Sequence, residues 1–151
     1  MEVNFFMKIK PLVDDFIKPE YKTENSAGMD IYLQSDITLV VGADNVVHLG
    51  FAAEVPEGYA AILLPRSSAG MRGIGLRNTA GIIDSDYRGE WIARIVIDQN
   101  QDNALLDEWY FKRGDRLLQC LIVPVKQVEI ELTETLSVTD RGSGGFGSTG
   151  K

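Results

Sequence analysis

Seven short apolar runs, each set off by turn residues, constrain this chain more than any other feature. They are FFMKIK (5 to 10), ITLVV (37 to 41), NVVHLGF (45 to 51), YAAILLP (59 to 65), EWIARIVI (90 to 97), RLLQCLIVPV (116 to 125) and QVEIEL (127 to 132). Most are as short as strands usually are, rich in β-branched or aromatic residues, and partly alternating, as in VEIEL. Gly42 to Asn45, Pro56-Glu57-Gly58 and Lys112 to Asp115 supply turns, and Pro124 separates the last two runs. Helix signals are few. ALLDEWYF (104 to 111) reads as a turn or two of helix, and Ser67-Ser68-Ala69-Gly70 as the cap of a short one. The pattern predicts an all-β domain of sandwich, jelly-roll or barrel type, with no repeat and no second domain.

Length and charge narrow the function. At 151 residues the chain fits one globular domain. It has no apolar stretch long enough for a membrane span and no leader pattern, so a soluble, cytoplasmic protein is expected. A net charge of −7 excludes a general nucleic-acid binder, because a polyanion would be repelled. All eight arginines nevertheless lie between 66 and 141, and their planar forks suit bidentate contacts to a small phosphate. Cys120 is the only cysteine and sits in an apolar strand, where it reads as a buried small hydrophobe.

The chain closes on RGSGGFGSTGK (141 to 151), with glycine at five of the nine positions from 142 to 150. GFGSTGK spells a phosphate-loop pattern and GSGGFG a dinucleotide one. Both motifs need a helix to follow, and the sequence provides none. A flexible tail needs no aromatic, so Phe146 among hydroxyls and backbone N–H groups reads as a segment able to dock, a lid.

Four further polar clusters exceed what turns require. SAGMDIYL (26 to 33) places Asp30 where an apolar strand begins. LPRSSAGMRGIG (64 to 75) follows a strand with a guanidinium, two hydroxyls and glycines, a set that cradles phosphate or, more plainly, caps a helix. RNTAGIIDSDYRGEW (77 to 91) reads as a hairpin tip at Asn78 to Gly81, then an apolar pair, then Asp84, Asp86, Tyr87 and Arg88; Asp84 is either a positioned base or part of a turn. GDRLLQC (114 to 120) sets Gln119 in an apolar strand, where it must find partners. His48, the one histidine, alternates with apolar neighbours and reads as a strand residue. One histidine and one cysteine make neither a nucleophile triad nor a zinc site. Carboxylates, arginines and oxygen ligands remain, a chemistry suited to Mg²⁺ and phosphate.

In order, AGMDIY, PRSSAGMRGIG, GIIDSDYRG, GDRLLQ and RGSGGFGSTG resemble the five motifs of the trimeric dUTPase family, across residues 27 to 150. The resemblance implies a jelly-roll-like distorted barrel over residues 1 to 140, with 141 to 151 as an arm closing over the site. It implies a homotrimer with sites at subunit boundaries, and hydrolysis of dUTP to dUMP and pyrophosphate with Mg²⁺. By motif, Asp84 would activate the attacking water. Tyr87 would pack on the deoxyribose where a 2'-hydroxyl would clash. Asn78 to Gly81 would pair with the uracil edge and exclude the thymine methyl. Arg66, Ser67, Ser68 and Gln119 would hold phosphates, and Asp30 would reach Mg²⁺ through water, the metal resting mainly on the phosphates. In the arm, Phe146 would stack on the base, while Arg141, Gly147, Ser148 and Thr149 would meet the nucleotide, the hydroxyls at its terminal phosphates. Arg72, where lysine is common, and Cys120, where a larger apolar residue is common, depart from the family pattern. So does NQDNALLDEWYFKR (100 to 113), which could present a separate surface. Two competing readings are a dCTP deaminase of the same fold and a regulatory dUTP-binding protein.

Overall fold

A computed structural model describes residues 5 to 98 and 108 to 145. Ten strands and one short helix follow in order: β1 (Lys8–Pro11), β2 (Met29–Ile31), β3 (Ile37–Val40), β4 (Asn45–Glu54), β5 (Tyr59–Pro65), α1 (Ser67–Met71), β6 (Ile74–Leu76), β7 (Gly81–Ile83), β8 (Glu90–Ile97), β9 (Glu108–Phe111) and β10 (Leu118–Pro124). Two antiparallel four-stranded sheets carry the fold, one ordered β1-β4-β8-β6 and the other β2-β10-β5-β7, with β3 and β9 pairing as a third, two-stranded sheet. This is an all-β, jelly-roll-like architecture.

Alternation decides which side chains meet between the sheets. Along β8, Trp91, Ala93, Ile95 and Ile97 are buried while Ile92 and Arg94 face out. One core collects residues from all three sheets, among them Phe51, Trp91 and Ile95 of the first, Ala61, Leu63 and Leu118 of the second, and Leu39, Trp109 and Phe111 of the third. Phe16, Phe51 and Trp91 form an aromatic series with ring centroids 5.6 and 4.9 Å apart. Cys120 is fully buried, and desolvation pushes its thiol up to about 12, so it is inert as expected. Among the described residues no helix is long and apolar enough to cross a membrane.

Several local expectations change. The segment expected to be helical at 104 to 111 contributes β9 at 108 to 111, with Trp109 and Phe111 inward and Glu108 and Tyr110 outward; residues 104 to 107 lie outside the described residues. FFMKIK is strand only from Lys8. Asn78 to Gly81 is a corner and not a hairpin tip: β6 belongs to one sheet and β7 to the other, so the turn carries the chain across. The corner is tight, with Ala80 N–H donating to Asn78 O at 2.7 Å and Thr79 at φ 67°. A threonine in that region carries local strain, of a sort concentrated at working sites. QVEIEL forms no strand. The chain leaves the body after Pro124, and Val128, Ile130, Leu132, Leu136 and Val138 are exposed along it.

Candidate functional site

The phosphate-facing candidates cluster on inner and neighbouring strands of the second sheet. Antiparallel pairing sets Gln119 of β10 opposite Asp30 of β2 on one side and Leu64 of β5 on the other, which brings Arg66, just past β5, to the same end. Asp30 is buried, and its two carboxylate oxygens accept from Arg66 Nε and Arg116 Nη1, each at 2.9 Å. A buried carboxylate is tolerable only when paired this way. Two guanidiniums against one carboxylate leave one positive charge uncancelled, and both arginines keep about a third or less of their side chains exposed. Arg66 Nη1 also donates to Arg116 O at 3.3 Å, which locks the pair together. Gln119 donates Nε2–H to Pro65 O at 3.2 Å. Its carboxamide oxygen lies over Gly28, where an added Cβ would stand only 2.8 Å away. Glycine in AGMD is thus the clearance that seats Gln119.

The serines do not cap α1 as expected. Arg66 is the N-cap residue, in extended conformation, and no side chain caps the helix. Ser67 and Ser68 sit exposed at its start, next to Arg66. Arg72 closes the other end of α1 and stacks 4.8 Å over the ring of Trp109, a contact arginine makes well.

The expected magnesium-facing role of Asp30 meets a changed environment. Both of its oxygens already serve guanidiniums, and among the described residues no three His, Cys, Asp or Glu side chains converge into a direct metal cage. What Asp30 visibly does is orient two arginines. Sequence reasoning missed Arg116 as a site residue, although it stands in GDRLLQ. The signal was available, since a buried aspartate between strands requires a cation nearby.

The nucleoside-facing candidates assemble elsewhere. Asn78, Gly81, Asp84 and Tyr87 line one cavity of about 250 Å³, together with Ile82, Ile83, Glu90 and Trp91. β7 is the edge strand of its sheet, entered by the corner at 77 to 80 and left by the turn at 84 to 89, and residues of both turns line the cavity. Asp84 is exposed, its backbone oxygen accepting from Tyr87 N–H at 3.2 Å, which folds the tyrosine back toward it. Tyr87 donates its phenol O–H to Glu90 O at 3.0 Å. Glu90 in turn bonds His48 Nδ1 at 2.9 Å and accepts Gly50 N–H at 3.2 Å. His48 is therefore an exposed strand residue with a carboxylate partner, away from any nucleophile.

Asp84 and Arg66 are not brought together within one chain, although Gly81, opposite Leu63, lies nearer the arginine end. Ile83 lies opposite Ala61 on β5, so Asp84 stands at the Ala60 level, six residues before Arg66 on that strand. At about 3.3 Å per residue, roughly 20 Å separates them. Arg141 is exposed in the segment after β10 and donates Nε–H to Gly144 O at 2.9 Å. Phe146, Gly147, Ser148 and Thr149 lie outside the described residues.

Known proteins match nearly the whole chain. A family model described as dUTPase matches residues 14 to 150. A deoxyuridine 5'-triphosphate nucleotidohydrolase of Nautilia profundicola (strain ATCC BAA-1463 / DSM 18972 / AmH) is 40% identical over 146 residues, covering 96% of this chain and 99% of its own. One of Anaeromyxobacter sp. (strain Fw109-5) is 40% identical over 134 residues, covering 88% and 87%. Among solved structures, the Staphylococcus bacteriophage 80alpha dUTPase G164S mutant with dUpNHpp superposes with a TM-score of 0.85 at 25% identity, over 97% of this chain and 99% of that one.

Proposed function

From the premise that the chain belongs to the dUTPase family and hydrolyses dUTP to dUMP and pyrophosphate, we propose that it works as a homotrimer whose sites join the phosphate cluster of one copy to the nucleoside cavity of another. The observation that carries this is the separation of Asp84 from Arg66. A nucleoside triphosphate is too short for Asp84 and Arg66 of one chain to meet at the same reacting phosphorus across roughly 20 Å. A heterologous contact that closes after three copies solves the problem three times over. The segment beyond Pro124 supports the same reading: alternating Val128, Ile130 and Leu132 stand exposed at 77, 86 and 93%, a strand pattern without a strand partner among the described residues.

The chemistry then follows from placement. dUMP and pyrophosphate form when water oxygen attacks the α-phosphorus while the bond from that phosphorus to the α,β-bridging oxygen breaks, that oxygen leaving as part of pyrophosphate. Asp84, exposed at the end of β7, accepts a proton from that water and aims it. Arg66 with its partner Arg116, the Ser67 and Ser68 hydroxyls, the N–H groups opening α1 and Gln119 meet the phosphate oxygens and stabilise the charge that grows on the departing pyrophosphate. Mg²⁺ bound with the substrate would supply positive charge to the triphosphate. Asp30 offers its remaining lone pairs only to that ion's water shell.

Selection falls to the corner and the tyrosine. Backbone groups of Asn78 to Gly81 pair with the uracil edge, so cytosine would leave buried polar groups unmatched, and the tight turn leaves no room for a thymine methyl. The Tyr87 ring excludes a ribose 2'-hydroxyl. The 141 to 151 arm, carrying Arg141, Phe146, Gly147, Ser148 and Thr149, closes over the bound nucleotide, its glycines allowing the motion. Pyrophosphate release measured across dUTP, dTTP, dCTP and UTP tests the reading. Turnover of dUTP alone, lost when Mg²⁺ is chelated, is expected. Ammonia released from dCTP, with no pyrophosphate from dUTP, would overturn it.

A further inference from the structure

Tyr87 is half-exposed at the mouth of the nucleoside cavity, yet its ring has one seat. The seat is Gly89. A Cβ built on Gly89 would stand 2.6 Å from Tyr87 Cζ and 3.0 Å from Cε2, and closer still to the phenol oxygen, so the phenol end of the ring abuts the glycine. No side chain larger than hydrogen is compatible with that pose. The backbone at Gly89 lies outside the positive-φ region, where an alanine would be strained, so the ring alone demands glycine there.

The same phenol end of the ring is held by a hydrogen bond as well. Tyr87 O–H donates to Glu90 O at 3.0 Å, and the Glu90 carboxylate is tied to β4 through Gly50 N–H and His48 Nδ1. Gly50 presents that N–H from an irregularity between His48 and Ala52, with φ 75°. Such a bulge turns a backbone donor out of the ladder.

We propose that Gly89 is a specificity-determining residue: it sets the height and tilt of the Tyr87 ring, and thereby the clearance left above the sugar's 2' position. The inference rests on the reading of Tyr87 as the group that excludes ribose. Gly89 touches no substrate and acts through the ring. Displacing the ring by the thickness of a methyl group opens the space a 2'-hydroxyl needs while leaving Asp84, on the other side of the turn, in place.

The test is a four-member cycle of full-length protein: wild type, Gly89→Ala, Tyr87→Ala and the double variant, each measured for kcat/KM on dUTP and on UTP and for thermal midpoint. Gly89→Ala is expected to lower the dUTP over UTP preference roughly tenfold or more, the range that steric exclusion of one small group delivers. It should lower the midpoint only where Tyr87 is present, and it should change nothing further in the Tyr87→Ala background. Relaxed selectivity in Tyr87→Ala with unchanged selectivity in Gly89→Ala would overturn the role of Gly89 and leave that of Tyr87 standing. Unchanged selectivity in Tyr87→Ala would overturn both. Equal losses of midpoint from Gly89→Ala in the two backgrounds would show that the methyl offends something other than the ring, and would also overturn the proposal.

Discussion

The phosphate end and the nucleoside end of this molecule are built on opposite terms. Asp30, Arg66, Arg116 and Gln119 are tied to one another and to the strands β2, β5 and β10, with a buried carboxylate at the centre. Asp84 and Tyr87 sit on an edge strand and its turns, exposed, and positioned by backbone contacts and glycine clearance. The first cluster is part of what holds the fold together; the second is carried by a fold that stands without it. Mutations at the two ends should therefore separate stability from turnover.

The largest effect belongs to Asp84→Asn. Removing the carboxylate that takes the water's proton should lower kcat by on the order of 10²- to 10⁴-fold. Because Asp84 is exposed, the thermal midpoint should hold, and a near wild-type kcat would refute the role. Next is the segment after β10. Replacing Val128, Ile130 and Leu132 together with serine leaves the isolated body untouched but removes side chains each worth about 1.5–3 kcal/mol when fully buried. Light scattering should then find trimers dissociating at concentrations where the wild type holds, and an unchanged assembly would deny the segment its place between copies.

At the phosphate end, Asp30→Asn keeps the shape and removes the charge, leaving two guanidiniums to face each other. A loss of about 1–3 kcal/mol in stability is expected, together with a raised KM for dUTP. Full stability would mean that the cluster is decoration on the fold and the contrast drawn above is wrong. The smallest effect is Tyr87→Phe, which keeps the ring over Gly89 and gives up only the bond to Glu90 O. Selectivity for dUTP over UTP should persist, and its loss would shift the role from ring to hydroxyl.

Much of this architecture is legible in the chain, because burial on one face imposes alternation. The runs at 37 to 41, 45 to 51, 59 to 65, 90 to 97 and 116 to 125 all hold strands. What escapes has physical reasons. β9 is written in ALLDEWYF, where good helix formers precede the strand and the inward pair Trp109 and Phe111 is too short a pattern to compete. The corner at 77 to 80 has the chemistry of any tight turn; whether the next strand pairs with the last or crosses to the facing sheet is decided by distant partners, Ile97 to Ile95 for β6 and Ala61 to Leu63 for β7. VEIEL alternates correctly but finds no strand to pair with among the described residues, and local pattern does not say where a partner lies. The site residues were legible only as five motifs in order. Arg116, Gly28 and Gly89 gain their meaning from neighbours that folding supplies.

Whether the site is divided between copies can be read out by mixing two inactive variants. Asp84→Asn and Arg66→Gln are each expected to be inactive alone, with Gln119→Ala standing in should Arg66→Gln fold poorly. Co-expressed and purified as mixed trimers, they should regain dUTP hydrolysis at about a quarter of the sites by random mixing, because an intact Asp84 from one variant meets an intact Arg66 from the other. If each chain instead built its own complete site, every site would keep one lesion, and mixed trimers as inactive as their parents would contradict the account.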